Sequence, residues 1–202
     1  MRHIIGIAVI GAIAVATGLG AQSQGAGRGR GAQKSALPVV VFQVDKKGSF
    51  EVEFYSNDAP KSVEHILTLV RRNFYNGLRV HRVEPDFVVQ FGDPQTRDVS
   101  KKARWGSGGS GRAIGVAEIS PTRPHKLGTV ALAHAGDPAS TADSQIYVCL
   151  NSDPGRYSYM NGKYAVIGQV ISGMSVVQQI RELDVIRATV KGQAPPPTVK
   201  KP

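Results

Sequence analysis

The chain has 202 residues, 41% of them hydrophobic, with 23 glycines and 12 prolines, which suits one turn-rich domain with appendages better than a long-helix bundle. A single cysteine, Cys149, excludes an intramolecular disulfide and any multi-cysteine metal site. The net charge of +10 invites a nucleic-acid partner, but its distribution argues against one: Arg2, Arg28, Arg30, Lys34, Lys191, Lys200 and Lys201 lie at the ends, and residues 38–190 carry 18 basic against 15 acidic side chains.

The elements follow in chain order. Residues 1–21 have a basic start, an apolar run from Ile4 to Leu19 and small residues about Ala21, the layout of a secretory signal peptide. The apolar run has 16 residues, short of the roughly 20 that span a bilayer, so an uncleaved anchor is the lesser alternative. No cysteine follows it, which removes the lipoprotein route. Residues 22–37 read as a Gly-rich flexible linker, 38–190 as the folded domain, and 191–202 as a Pro/Lys-rich disordered tail. The expected location is periplasmic or secreted, with membrane contact only through the leader.

"PVVVFQV" and "SFEVEFY" flank "DKKG", the chemistry of a β-hairpin, and Glu51 and Glu53 give the second strand one wet face. "NDAPKSVEHILTLVRRNFYNG" is the clearest helix, with Asp58 as the expected N-cap, Pro60 just inside and Gly77 closing the segment. Val63, Ile66, Leu67 and Val70 share one of its faces. "RVHRV", "DFVVQFG", "TVALAH", "SQIYVCL", "YAVIGQVIS" and "DVIRATV" are strand-like, and "GMSVVQQIREL" is a second short helix. About eight short strands without a βαβ alternation predict an all-β-dominated fold, a closed eight-stranded antiparallel barrel capped by two α-helices. Cys149 lies in one of these strands as a buried thiol. "WGSGGSGRAIG" is glycine-dense but lacks the Lys-Ser/Thr ending of a phosphate-binding loop.

In "LRVHRVEPDFVVQFGDP" strand parity places Val89 and Phe91 inside, and Val88 and Gln90 outside with Arg82 close by. Such an Arg beside Phe87 is either a guanidinium held in a site or a surface side chain with its stem on the ring. The residues alone leave both readings open.

This stretch resembles the signature of the cyclophilin family of peptidyl-prolyl cis–trans isomerases, Phe/Val-His-Arg-Val-x-Pro-x-Phe-x-x-Gln-x-Gly-Asp, through His81, Arg82, Val83, Pro85, Phe87, Gln90, Gly92 and Asp93. "GSGG", "HKLGTVALAHAGDPASTADSQIYV" and "NGKYAVIGQVISGM" resemble further family segments in the same order. The resemblance implies an eight-stranded barrel with two helices, and isomerisation of X–Pro bonds in proline-containing polypeptides, here exported ones. It implies Arg82, Phe87 and Gln90 as catalytic residues: Arg82 donates to the prolyl nitrogen, and Gln90 orients Arg82. Val88, Tyr147 and Met160 join Phe87 around the proline, while Gly106, Ala133, His134, Ala135 and Gln145 line the adjoining groove. Tyr159 and Tyr164 complete the substrate-binding set. Neither cofactor nor metal is implied, and a monomer is expected.

The chain departs from the family at several points. Val88 stands where Met is frequent, Tyr147 where Phe is usual, Tyr159 where many eukaryotic members have Trp, and Tyr164 where they have His. Trp105 lies elsewhere, and His134 replaces an Asn. Phe91 replaces a Gly, a change expected to crowd or reorient its strand. Tight cyclosporin binding is not expected. Of the rival readings, a non-catalytic proline-peptide binder on the same barrel is the strongest. Ser144, His134 and Asp137 could be drawn as a hydrolase triad but lack a nucleophile elbow. His81, His125 and His134 lack zinc-ligand spacing, and an anionic-polymer binder would rest on the basic ends alone.

Overall fold

Period-two burial builds the first hairpin. In β1 (Val39–Val44) and β2 (Gly48–Phe54), Val40, Phe42 and Val44 turn inward together with Phe50, Val52 and Phe54. Phe42 lies opposite Phe50 with the rings stacked at 5.2 Å. These positions come from a computed structural model that describes residues 37–136 and 139–193. The expected leader, nearly all of the linker, the tail beyond Gln193, and Asp137 lie outside the described residues.

Helix α1 (Pro60–Arg71) buries Val63, Ile66, Leu67 and Val70 as its spacing predicts. Its start differs from expectation. The N-cap is Ala59, which offers no side-chain bond, while Asp58 pairs with Arg123 at 2.9 Å. The orphan N–H groups of Lys61 and Ser62 donate instead to the two carboxylate oxygens of Glu118, at 3.1 and 2.7 Å. An anion at the helix N-terminus satisfies both the hydrogen bonds and the dipole. Here it comes from a distant loop.

The remaining elements are β3 (Leu78–Arg79), β4 (Arg82–Glu84), β5 (Val88–Phe91), β6 (Thr129–Leu132), β7 (Ile146–Cys149), β8 (Val166–Ser172), α2 (Met174–Gln178) and β9 (Val185–Val190). Nine strands join in the order β3-β9-β1-β2-β8-β6-β7-β5-β4, every pair antiparallel. The fold is therefore all-β dominated, a curled antiparallel half-barrel with few helices.

The sheet has nine strands where a closed barrel of eight is expected. "RVHRV" is not one strand, because it changes partners midway. Leu78 and Arg79 face Ile186 and Val185 of β9, and Val80 N–H donates to Asp184 O. From His81 N–H, which donates to Gln90 O, the chain pairs with β5, so that Arg82 lies opposite Gln90. "DFVVQFG" also begins later than expected. Asp86 has φ 61° and Phe87 N–H bonds back to Glu84 O, which makes a turn of the first two residues.

Phe91 is fully buried inside the half-barrel, edge-on to Phe42 at 5.5 Å and to Tyr75 at 6.4 Å. It fills the interior on the side of β5 opposite Gln90. A second apolar cluster, with Val88, Ala131, Tyr147, Cys149, Tyr157, Met160 and Val166, covers the other face of the sheet. Among the described residues no helix is long and apolar enough to cross a membrane.

Candidate active site

The outer cluster forms an aromatic wall. Phe87 is stacked between Tyr157 at 5.5 Å and Tyr159 at 6.4 Å, and the Tyr157 hydroxyl donates to Phe87 O while accepting from Asn151 N–H. Tyr147, on β7, lies 3% exposed beside Val88 and Met160, with Tyr164 edge-on at 5.9 Å. Tyr159 is 60% exposed at the rim, an apolar ring without a cover.

Beneath Tyr147 runs a buried polar chain. Its hydroxyl meets His125 Nε2 at 2.8 Å, and His125 Nδ1 meets Asn161 Oδ1 at 2.8 Å. Asn161 Oδ1 only accepts, so Nδ1 carries the ring proton and Nε2 accepts from the tyrosine. Burial lowers the His125 pKa, with Asn161 opposing it, and pushes the Tyr147 phenol well up. The Cys149 thiol is raised to about 12 by the same desolvation, so it stays protonated and unreactive.

Along the edge of this wall lies a row of hydrogen bonds. Arg82 Nη1 donates to Gln90 Oε1 at 3.3 Å, and Gln90 Nε2 donates to Gln145 Oε1 at 2.9 Å. Gln145 Nε2 then donates to Gly106 O and Gly108 O, each at 2.8 Å. Antiparallel register produces the row, since Gln90 faces Arg82 on one side and Tyr147 on the other. The guanidinium, with Nε 3.4 Å from Glu84, stays about half exposed and keeps further N–H donors for a ligand.

Two carboxylates hold the glycine-rich loop. Fully buried Asp93 accepts from Gly106 N–H at 2.6 Å, Gly108 N–H at 3.0 Å and Gln95 N–H at 2.8 Å. Asp143 accepts from the Ser110 hydroxyl, Gly111 N–H and Arg112 N–H, and His65 Nε2 lies 3.1 Å away. Glycine is required where the backbone comes closest. A Cβ on Gly108 would sit 2.4 Å from Asp93 Oδ1, and one on Gly92, at φ +115°, would sit 2.2 Å from Ser144 O. Between this loop and Ala133, His134 and Ala135 opens a cavity of about 400 Å³, also lined by Gln90 and Gln145.

The residues singled out from sequence thus fall into two adjoining groups. Phe87, Val88, Tyr147, Met160, Tyr159 and Tyr164 form the aromatic wall; Gln90, Gly106, Ala133, His134, Ala135 and Gln145 line the groove, with Arg82 between them. Ser144 and His134 do not form a catalytic pair. The Ser144 hydroxyl is buried and donates to Gly92 O, while the His134 ring lies 4.6 Å from Tyr164 with its nitrogens facing Gly136 O and Lys163 O. Sequence reasoning missed His125, Asn161 and Asp143 and gave Asp93 no task. Asp93 stands at the end of the signature, and the other three lie within the further segments that resemble the family, with no pattern to give them a task.

An antiparallel half-barrel that joins an aromatic wall to an open groove, with a cation at the junction, defines a class: a β-protein with a cleft able to act through position and charge. Comparison with known proteins agrees and narrows it. The family model for cyclophilin type peptidyl-prolyl cis-trans isomerase/CLD matches residues 39–200. A Helicobacter pylori (strain ATCC 700392 / 26695) peptidyl-prolyl cis-trans isomerase is 34% identical over 146 residues, covering 71% of this chain and 81% of that protein. A probable peptidyl-prolyl cis-trans isomerase of Brucella abortus (strain 2308) is 39% identical over 140 residues, 68% of each chain. Among solved structures, a Cryptosporidium parvum cyclophilin type isomerase superposes with TM-score 0.65 at 22% identity, covering 78% of this chain and 99% of that one. A second crystal structure of that protein was obtained in the presence of the dipeptide Ala-Pro. The chain belongs to the cyclophilin-type peptidyl-prolyl cis–trans isomerase family, and it is an isomerase.

Proposed function

We propose that Arg82 is the electrostatic catalyst of X–Pro rotation, that the wall of Phe87, Val88, Tyr147 and Met160 holds the proline ring, and that the groove from Gly106 to Ala135 carries the flanking chain. Rotation meets a barrier of about 18–20 kcal/mol because the amide nitrogen shares its lone pair with the carbonyl. As the bond twists, that nitrogen becomes pyramidal and basic. A guanidinium donor aimed at it binds the twisted state more strongly than either planar isomer. A hydrogen bond to a charged group contributes about 1.5–3 kcal/mol, whereas a thousandfold acceleration needs roughly 4 kcal/mol. Position therefore supplies the remainder, through the ring in its pocket and the backbone in its groove. The observation that carries this reading is the row Arg82–Gln90–Gln145, which fixes the cation at the junction of pocket and groove.

Proline-containing peptides fit the site, as the Cryptosporidium parvum structure obtained with Ala-Pro supports. Leu78–Glu84 passes from β9 to β5 without a break in the chain; in this reading it acts as one kinked strand that closes an eight-stranded barrel and anchors Arg82 at the kink. Exported polypeptides are the proposed clients, on the layout of residues 1–21, and fractionation of the native host tests that location.

The decisive assay is cis-to-trans isomerisation of a short X–Pro peptide by the protein and its Arg82→Ala variant. Arg82 is exposed, so the variant keeps its fold by circular dichroism, and kcat/KM falls about 10²–10³-fold. Undiminished turnover by a folded variant removes Arg82 from the mechanism.

A further inference from the structure

Beyond the pocket, the chain leading into the glycine-rich loop carries an unusual density of positive charge. The short 3₁₀ segments Pro94–Arg97 and Val99–Arg104 place Arg97, Lys101, Lys102 and Arg104 on the surface, all exposed. Among the described residues two carboxylates pair with them. Asp98 lies 3.5 Å from Lys101 and Glu182 lies 3.8 Å from Lys102, in pairs whose side chains are about half exposed. Such pairs are weak and exchange readily with another anion. The Arg104 side chain has no ion pair among the described residues.

The ridge is rigid. Asp98 caps its start by accepting from Ser100 N–H at 3.0 Å, and Trp105 Nε1–H, at its end, donates to Gln95 O at 3.1 Å and Asp98 O at 3.2 Å. It is also continuous with the substrate groove, since the next residues are Gly106 to Gly108, whose carbonyls receive Gln145 and whose N–H groups are held by Asp93. Gln95 ties the two together, its Nε2 donating to Arg104 O and to the Ser107 hydroxyl, each at 3.2 Å. On the aromatic side, at the other end of Gln90, Arg156 pairs with Asp86 at 3.0 Å and Arg82 lies 3.4 Å from Glu84.

We infer that this ridge is an extension of the substrate site that takes carboxylate side chains on one side of the target proline, so that the protein prefers acidic-flanked prolyl segments. This rests on the isomerase reading of the groove. A carboxylate a few residues from the proline reaches Lys101, Lys102 or Arg104 as its backbone leaves the groove past Gly106. The attraction is long-ranged at low salt, so it raises encounter rate as well as affinity. It acts on one flank because the cations lie at one end of the site.

The test uses three peptides sharing one Ala-Pro centre: neutral flanks, a short Glu run before the proline, and the same run after it. Turnover and affinity are measured with the whole protein and with a Lys101→Glu/Lys102→Glu/Arg104→Glu variant. One Glu placement is expected to raise kcat/KM about 3–10-fold at low ionic strength, and the gain should vanish in about 1 M salt, where the screening length is about 3 Å. Charge reversal should erase that gain and leave neutral-peptide turnover unchanged. Equal values for all three peptides, an equal gain with both placements, or a gain that survives charge reversal overturns the inference. So does salt-sensitive binding to phosphatidylserine vesicles or an oligonucleotide without a one-sided peptide preference, which would assign the ridge to anionic surfaces. Failure to turn over even the neutral peptide sinks the isomerase reading instead, and the peptide affinities still decide the ridge.

Discussion

The two walls of the site are built by opposite means. The aromatic wall consists of side chains lying on a sheet, with Phe87, Tyr157 and Tyr159 stacked and Tyr147 anchored below by His125. The glycine wall is backbone, strung between Asp93 and Asp143 with hardly a side chain of its own. Packed rings tolerate exchange, since neighbouring apolar groups share the loss. A backbone loop held by two carboxylates, one buried and one partly so, does not, because removing an acceptor leaves N–H donors orphaned. One wall is soft chemistry on a hard sheet; the other is the reverse.

The largest effect that tests this contrast is Gly92→Ala. The new Cβ meets Ser144 O in a left-handed backbone position, so a loss exceeding about 3 kcal/mol, or failure to fold, is expected in urea unfolding. Asp93→Asn comes next. It turns a donor towards Gly106 and Gly108 in place of a carboxylate oxygen, at a cost of about 3–5 kcal/mol. In peptide assays its KM should rise more than its kcat falls, and a variant of normal stability and KM would show that the loop holds itself.

An intermediate effect is expected from pH. His81 and His125 are both lowered by burial, so the unfolded chain binds protons that the folded chain refuses. Their contribution is full above the ordinary histidine pKa of about 6.5 and is lost as pH falls from there through their folded values. Thermal melts between pH 7.5 and 5 should show Tm falling, and a flat Tm would contradict it. Smallest is Tyr147→Phe, which only strands His125 Nε2. About 1–2 kcal/mol of stability should go, with peptide isomerisation near the parent level; a collapse of activity would make the aromatic wall as brittle as the glycine one.

What sequence could read follows the same division. Strand alternation placed Phe91 inside and Val88 and Gln90 outside, and the signature brought Arg82 to Gln90 across adjacent strands; both are matters of short range. The helix face of Val63, Ile66, Leu67 and Val70 was equally visible. The split of "RVHRV" was not, because a change of pairing partner belongs to β9 and β5 rather than to the segment itself. Nor were the long-range polar ties. His125 and Tyr147 are 22 residues apart, and Asp143 and Gly111 are 32 apart, with no periodicity linking them. Asp58 stands at the right offset for a cap, but Arg123 draws it away.

Glu118 turns that last point into a matter of timing. During synthesis it appears 57 residues after Lys61, so α1 leaves the ribosome with its first turn open. A helix of 12 residues is marginal by itself in water. Its completion waits for the loop that delivers the carboxylate, long after its own residues exist. A nascent chain arrested before residue 118 should therefore hold this helix only in part, exposed to chaperones and proteases, so the protein itself spends its youth as the kind of unfinished chain that folding helpers serve.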